Sequence, residues 1–332
     1  MKNMKTKMLA LMLVVIMALT GCATEEESVK INADGSGISY TNVTIDEEAC
    51  IDAMLKLYKS MGLSDEEVSA VEPMLKSELA KNFKEMGAKE ATINGKKCYK
   101  IEQTQSIKKG NLTKDVIGEE EGYITTDTFY MKANIGKMLE ETMNETGDTG
   151  MSTADMTATM KAAGIDLDSA IKITVTVEFP KAVVSTANGT VDASNKNKVI
   201  FNLKATDNKA LFATTNAKVT LASARAKYKA DNTIKKPAIK KLKANKVSKK
   251  AKKATVSLKI GKVSGAKKYQ VQYSTKASFK GAKTKTIKKT TYKLTKLKKG
   301  TKYYVRVRAV KTNMSGTTVT SKWTKKSVKT KK

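Results

Sequence analysis

The charge of this chain is divided, and the division constrains the fold before any motif is read. Residues 226–332 carry 36 Lys and Arg against a single carboxylate, Asp231, a formal charge of +35. Residues 23–225 carry 24 Lys and Arg against 31 Asp and Glu, a formal charge of −7. One acid cannot ion-pair 36 bases internally, so the distal segment must turn its cations to water. Two bodies of opposite sign follow. A length of 332 residues is also that of about two domains.

The distal segment solves this with strands. Short apolar–polar alternations recur around residues 239–242, 254–260, 269–274, 284–287, 290–297, 303–310 and 317–328, with lysines at the outward positions. Seven strands in under about a hundred residues predict an immunoglobulin-like sandwich. Leu297-Lys298-Lys299-Gly300-Thr301-Lys302-Tyr303, followed by Val305-Arg306-Val307-Arg308-Ala309, resembles the signature of fibronectin type III domains. Tyr269-Gln270-Val271-Gln272-Tyr273-Ser274 is similar to that family's third strand, and Gly265-Ala266 to the turn before it. The resemblance covers residues 237–331 and implies that Tyr303 is the tyrosine corner. Two positions depart from it: Leu258 stands where the second strand usually has tryptophan, and Lys299 replaces the common proline. There is no Arg-Gly-Asp, so integrin-type adhesion is not implied. The polar, basic stretch 226–236 reads as a linker.

The proximal segment, residues 29–225, mixes both kinds of element. Val29–Asn32 and Ile38–Ile45 read as strands joined at Asp34-Gly35. Asp46 caps a helix with acids in its first turn. Ser64 and Glu67 form a capping box for a second helix, which Pro73 is expected to bend or break. Val68, Val71, Leu75, Leu79 and Phe83 make its apolar stripe, which reads as core packing. A hairpin is expected at Asn94-Gly95, and another strand-like run over Tyr123–Ile135. In Ile171–Phe179, Ile171, Ile173, Val175, Val177 and Phe179 face one way and Lys172, Thr174, Thr176 and Glu178 the other. One wet face predicts an antiparallel sheet with helices on its other face, hence an α+β domain. Val177-Glu178-Phe179-Pro180, Val183-Val184, Thr186, Asn188-Gly189, Val199-Ile200-Phe201 and Asp34-Gly35-Ser36-Gly37 resemble LppM-type lipoprotein domains over residues 28–210. That resemblance implies an envelope-facing domain, in contact with lipid, and carries no catalytic residue.

Ahead of this domain stands an export signal. Lys2, Lys5 and Lys7 precede an apolar run of 12 residues, Met8–Leu19. As a helix that run spans about 18 Å, short of a hydrocarbon core of about 30 Å, so residues 1–21 read as a signal peptide. Leu19-Thr20-Gly21-Cys22 resembles the lipobox of bacterial lipoproteins, which implies a diacylglycerol thioether on Cys22 and a chain held at the outer face of the membrane. Two acyl chains suffice for stable anchoring. Residues 22–28 read as a short acidic tether.

Much chemistry is excluded. The chain has no histidine, which removes His triads and His metal sites. No nucleophile elbow, P-loop, dinucleotide fingerprint or Cys-x-x-Cys occurs. Asp166 and Asp168 read as a cap or turn, not as a glycosidase pair. The Met-rich stretch 136–164, with Met138, Met143, Met151, Met156 and Met160, lacks a tight thioether cluster for copper and reads as a helical excursion. No cofactor and no metal are expected. Cys50 and Cys98 either pair, as an exported protein permits, or are two buried free thiols. The expected function is non-catalytic binding at the cell surface. Lys298, Lys299, Lys302, Arg306 and Arg308 are the candidates for engaging anionic wall polymer, with a surface protein as the other partner and no nucleic acid expected. The alternative is a carrier or sensor holding a lipid or apolar ligand in the α+β domain.

Overall fold

A computed structural model describes residues 23–60, 62–118, 120–137, 158, 161–247 and 253–332. Cys22, the signal segment and most of the Met-rich stretch lie outside the described residues. The chain divides into two compact units, Met1–Ala224 and Arg225–Lys332.

The first unit is α+β. Its main sheet has seven strands: β1 (Ala23–Ile31), β2 (Gly37–Asp46), β3 (Lys89–Ile93), β4 (Lys96–Ile107), β7 (Ile171–Glu178), β9 (Thr190–Val191) and β10 (Lys198–Leu203). Their spatial order is β3-β4-β2-β1-β7-β10-β9. A second sheet, ordered β5-β6-β11-β8, contains β5 (Gly122–Ile124), β6 (Thr128–Asn134), β8 (Ser185–Ala187) and β11 (Asn208–Thr214). The antiparallel expectation holds for every pair of the main sheet but one: β1 runs parallel to β7, with Val29 opposite Val177. That pair closes a sheet whose first and seventh strands are far apart in sequence.

The acidic tether expected over residues 22–28 is corrected. Residues 23–28 form most of β1, a central strand paired with β2 on one side and β7 on the other. Ala23, Val29 and Ile31 face the core, and Glu25 lies in the same row at 6% exposure. Glutamate is almost never fully buried without a partner, which is why Thr-Glu-Glu-Glu-Ser reads as free chain.

Two helices cover part of the sheet's inner face. The Asp46 carboxylate accepts the Ala49 N–H at 3.0 Å ahead of α1 (Glu47–Ser60). The capping box of α2 (Asp65–Glu85) forms in both directions: Glu67 N–H donates to Ser64 Oγ at 3.3 Å, and Ser64 N–H to Glu67 Oε2 at 2.8 Å. Pro73 does not break α2, which is continuous over Asp65–Glu85, and Val68, Leu75, Leu79 and Phe83 are buried. Phe83 meets Tyr99 of β4 with ring centroids 4.9 Å apart. The second sheet meets the main one through Phe129 and Phe201, 5.5 Å apart. At the β3–β4 hairpin Asn94 and Gly95 both take positive φ, 52° and 80°, as a primed two-residue turn requires.

The second unit is an all-β sandwich. One sheet holds β12 (Ile239–Ala244), β13 (Ala254–Ile260) and β16 (Thr291–Leu297). The other holds β14 (Lys268–Ser274), β15 (Lys283–Ile287), β17 (Lys302–Thr312), β18 (Thr318–Thr320) and β19 (Thr324–Lys329). Val256, Leu258, Val271, Leu294, Val305 and Val307 form its dry centre. Leu258 thus fills its departed position as an ordinary core residue. The last expected strand is interrupted: β18 pairs with Val310–Thr312 and β19 with Lys302–Val307, with Trp323 in the break.

The expected linker is also partly helical. Helix α3 (Leu221–Asp231) runs into it, and its last residues, which belong to the second unit, hydrogen-bond within that unit. Met314 N–H donates to Asp231 Oδ2 at 2.7 Å, Lys311 Nζ to the Ala230 carbonyl at 2.7 Å, and Asn313 Nδ2 to Asn232 Oδ1 at 2.7 Å.

Candidate anion-binding face and an inner cavity

Strand alternation builds the first candidate site. Along β17, Tyr303, Val305, Val307 and Ala309 are buried, while Lys302, Tyr304, Arg306 and Arg308 face outward. Gln272 sits opposite Arg306 on β14, and Gln270 opposite Arg308. Each glutamine fixes its arginine: Arg306 Nε donates to Gln272 Oε1 at 2.7 Å, and Arg308 Nε to Gln270 Oε1 at 2.7 Å. Gln272 Nε2 in turn donates to Thr284 Oγ1 on β15 at 2.9 Å.

Aromatic rings hold the guanidinium planes. Arg306 lies 4.4 Å from the centroid of Phe279 and 4.5 Å from that of Trp323. Arg308 lies 4.6 Å from the same Trp323 ring. Such stacking contributes about 0.5–2 kcal/mol per pair and removes the rotamer freedom an exposed arginine otherwise keeps. Lys325, opposite Arg306 on β19, places its ammonium 5.9 Å from Phe279.

Of the residues the sequence singled out, Lys302, Arg306 and Arg308 share this outward row. Lys302 leans over Tyr304, 5.2 Å from its centroid. Lys298 and Lys299 lie in the turn before β17. The Lys298 backbone N–H donates to the buried Tyr303 hydroxyl at 3.0 Å, the hydrogen bond that holds this corner. Sequence reasoning missed Gln270, Gln272, Phe279 and Trp323. The outward Gln-x-Gln of β14 against the Arg-x-Arg of β17 was the available signal. Phe279 and Trp323 come from loops, where periodicity gives no register.

Cys98 is a buried free thiol, which burial pushes above its ordinary pKa. The Cys50–Cys98 pairing is therefore corrected, and alternation gives the reason. Tyr99 and Ile101 of β4 point into the cluster that contains Cys50, so Cys98 points to the opposite face.

The second candidate is a cavity of about 170 Å³ on the inner face of the main sheet. Val29, Val43 and Val175 line it together with Glu27, Gln103 and Asp115. Glu25 is two residues along the same strand and is raised to a pKa of about 8 by its burial and then by the Glu27 charge. Among the described residues no group of three or more Cys, Asp or Glu could hold a metal ion. Nor is any described helix long and apolar enough to cross a membrane.

Comparison with known proteins bears on the second unit. No curated protein matches the chain. Similar solved structures include the fibronectin type III domain of human collagen alpha-1(XX) chain, at 22% identity over 31% of this chain and 89% of that one, TM-score 0.23. A second is an Fn3-like protein from Clostridium thermocellum, at 28% identity over 28% of this chain and 90% of that one, TM-score 0.20. The family of fibronectin type III domains matches residues 237–325, from β12 to the start of β19 and including the Tyr303 corner.

Proposed function

We propose that this is a non-catalytic binding protein of the bacterial cell surface, whose fibronectin type III unit engages anionic wall polymer. The fibronectin type III domain is a common binding and interaction module, and the reading adds a ligand class to that. The observation that carries it is the fixed Arg306–Arg308 row in a unit with one carboxylate. That carboxylate, Asp231, is already committed to the Met314 N–H and to Lys311, 3.9 Å away. The row therefore has no anion of its own unit to satisfy it. Attraction of this kind is strong at low ionic strength and screened within a Debye length of about 8 Å at physiological salt.

In this reading a diacylglycerol on Cys22 anchors the chain at the outer face of the membrane. Unit 1 is then an LppM-like envelope domain whose central strand starts one residue beyond the lipid. The test is binding of the full chain to purified walls, with and without their anionic polymer, across a salt series. Binding that needs the polymer and falls steeply with salt is expected; salt-independent or polymer-independent binding overturns the reading. Mass spectrometry of the Cys22 peptide tests the anchor. A diacylglyceryl adduct is expected, and Cys22 recovered in a disulfide with Cys50 overturns it.

A second reading places a ligand in the inner cavity. At about 170 Å³ it compares with the roughly 150 Å³ cavity that accepts benzene. Its mixed lining of valines with Glu27, Gln103 and Asp115 suits a small ligand with a polar end rather than a lipid acyl chain, which narrows the carrier alternative to small ligands.

A further inference from the structure

The outward face of β17 is more than a cationic surface. Diffuse attraction needs charge alone, and mobile lysines supply it. Arg306 is immobilised on three sides: Phe279 and Trp323 cover its planes and Gln272 takes its Nε–H. No described residue accepts from its Nη groups, so the open edge of the fork faces outward. That edge carries two parallel donors matched to two oxygens of one oxyanion. Arg308 follows the arrangement in part, with one ring instead of two and one Nη group engaged. Gln270 takes its Nε–H, Thr320 Oγ1 accepts from Nη1 at 3.3 Å, and the Trp323 ring covers a plane.

The supports are themselves specialised. Phe279 is 7% exposed yet belongs to no core cluster of the sandwich; its ring is spent on Arg306 and Lys325. Its backbone has φ 62°, a left-handed conformation that is an outlier for a bulky residue and costs about 1–3 kcal/mol. Trp323 reaches both arginines because the chain breaks its strand pairing between Thr320 and Thr324. Strain and a broken ladder both go into holding two guanidinium groups beside one Trp323 ring, on residues whose backbones are about 7 Å apart along the strand.

Resting on the binding function proposed above, we infer that Arg306 and Arg308 each take one of two successive phosphodiester groups on a single polymer chain. Two fixed guanidinium groups, one with its whole outer edge open and one with Nη2 unengaged, favour anions whose spacing is set by a backbone, as in a phosphodiester chain. Carboxylates on flexible side arms lose more conformational freedom on binding both forks. The row is then a reader of linked phosphates, with Lys302 and Lys325 adding unspecific attraction at its ends.

Trp323 is the sole tryptophan of the chain and touches both arginines, so its fluorescence reports this face directly. The full chain is titrated at one fixed salt concentration with glycerol phosphodiesters containing one, two and many phosphates, and with polyglutamate. Wild type is expected to bind the two-phosphate ligand at least tenfold more tightly than the one-phosphate ligand, and the polymer more tightly than polyglutamate of equal charge. R306K keeps the charge and loses the fork; it is expected to weaken the two-phosphate ligand about tenfold. K259Q, on the opposite sheet, is expected to change it less than twofold. Equal loss in R306K and K259Q overturns the inference and leaves the binding function standing, and so does affinity that tracks charge alone across the wild-type series. Should wild type bind no polyanion at low salt, the binding function itself falls. The wild-type series decides the matter even where a variant fails to fold.

Discussion

At the scale of single residues, Glu25 stands out. It is 6% exposed on a central strand, flanked in register by Val43 and Ile173, and its pKa rises from 4.5 to about 8. Desolvation is the larger cause, with Glu27 the second. A folded-state pKa above the unfolded one means the native protein holds the proton longer. Its contribution to stability is complete below about pH 4.5 and is lost as pH rises towards about 8. The loss across that window is at most about 5 kcal/mol, and less where the site relaxes. Glu25→Gln, of nearly the same shape, is expected to flatten this slope and to be more stable than wild type at pH 8. Urea melts at pH 5 and pH 8 check it; a Glu25→Gln variant with the wild-type slope would show that Glu25 is hydrated and ionised. The residue was legible only in part: Ala23, Glu25, Glu27, Val29 and Ile31 alternate correctly, but three consecutive glutamates mask the period. Arg306 and Arg308 were found from alternation alone, because β17 is regular and its apolar row is unambiguous.

At the scale of elements, the strands and caps were the readable part. The Ser64–Glu67 box, the Asn94-Gly95 turn and β7 follow from local chemistry that acts within a few residues. What escaped was long-range. The partnership of β1 with β7 joins residues about 150 apart, and no local pattern encodes it. The continuity of α2 through Pro73 reflects tertiary packing of Leu75, Leu79 and Phe83 outweighing one lost hydrogen bond. The assignment of residues 23–28 to the sheet has a direct consequence. Ser28 is paired with Tyr40 on one side and Thr176 on the other. Ser28→Pro removes a backbone donor from the middle of the sheet, and a buried carbonyl left without its partner costs about 1–3 kcal/mol before any steric clash. That is a large part of a marginal stability. Limited proteolysis is expected to degrade unit 1 and spare residues 237–325. A variant whose unit 1 resists protease like wild type would return residues 23–28 to the status of a tether.

At the scale of the molecule, the charge division that opens the sequence also separates two salt dependences. The second unit folds 37 cations, Arg225 included, around Asp231 as its one acidic side chain, so its native state is compressed against self-repulsion that the expanded chain relieves. Added salt screens that repulsion within a Debye length of about 10 Å at 0.1 M and about 3 Å at 1 M. Raising sodium chloride from 20 mM to 500 mM is therefore expected to raise the melting temperature of this unit by several degrees. A shift of about 1 kcal/mol moves the midpoint of a domain this size by about 4–8 °C. Trp323 lies in this unit and is the sole tryptophan, so its fluorescence follows this melting alone. Unit 1 holds nearly balanced charge and surface ion pairs such as Lys76–Glu72 and Lys84–Glu90, at 2.7 and 2.9 Å. Such exposed pairs contribute little, and far-ultraviolet circular dichroism is expected to show a smaller shift for it. Polymer binding must move the other way, weakening over the same salt range. Opposite signs for folding and binding in one titration fit a surface that is electrostatically strained until an anion arrives. A midpoint that falls with salt would mean that the cation–aromatic stacks around Trp323 and Phe279 outweigh the repulsion, and that the face is satisfied without a ligand.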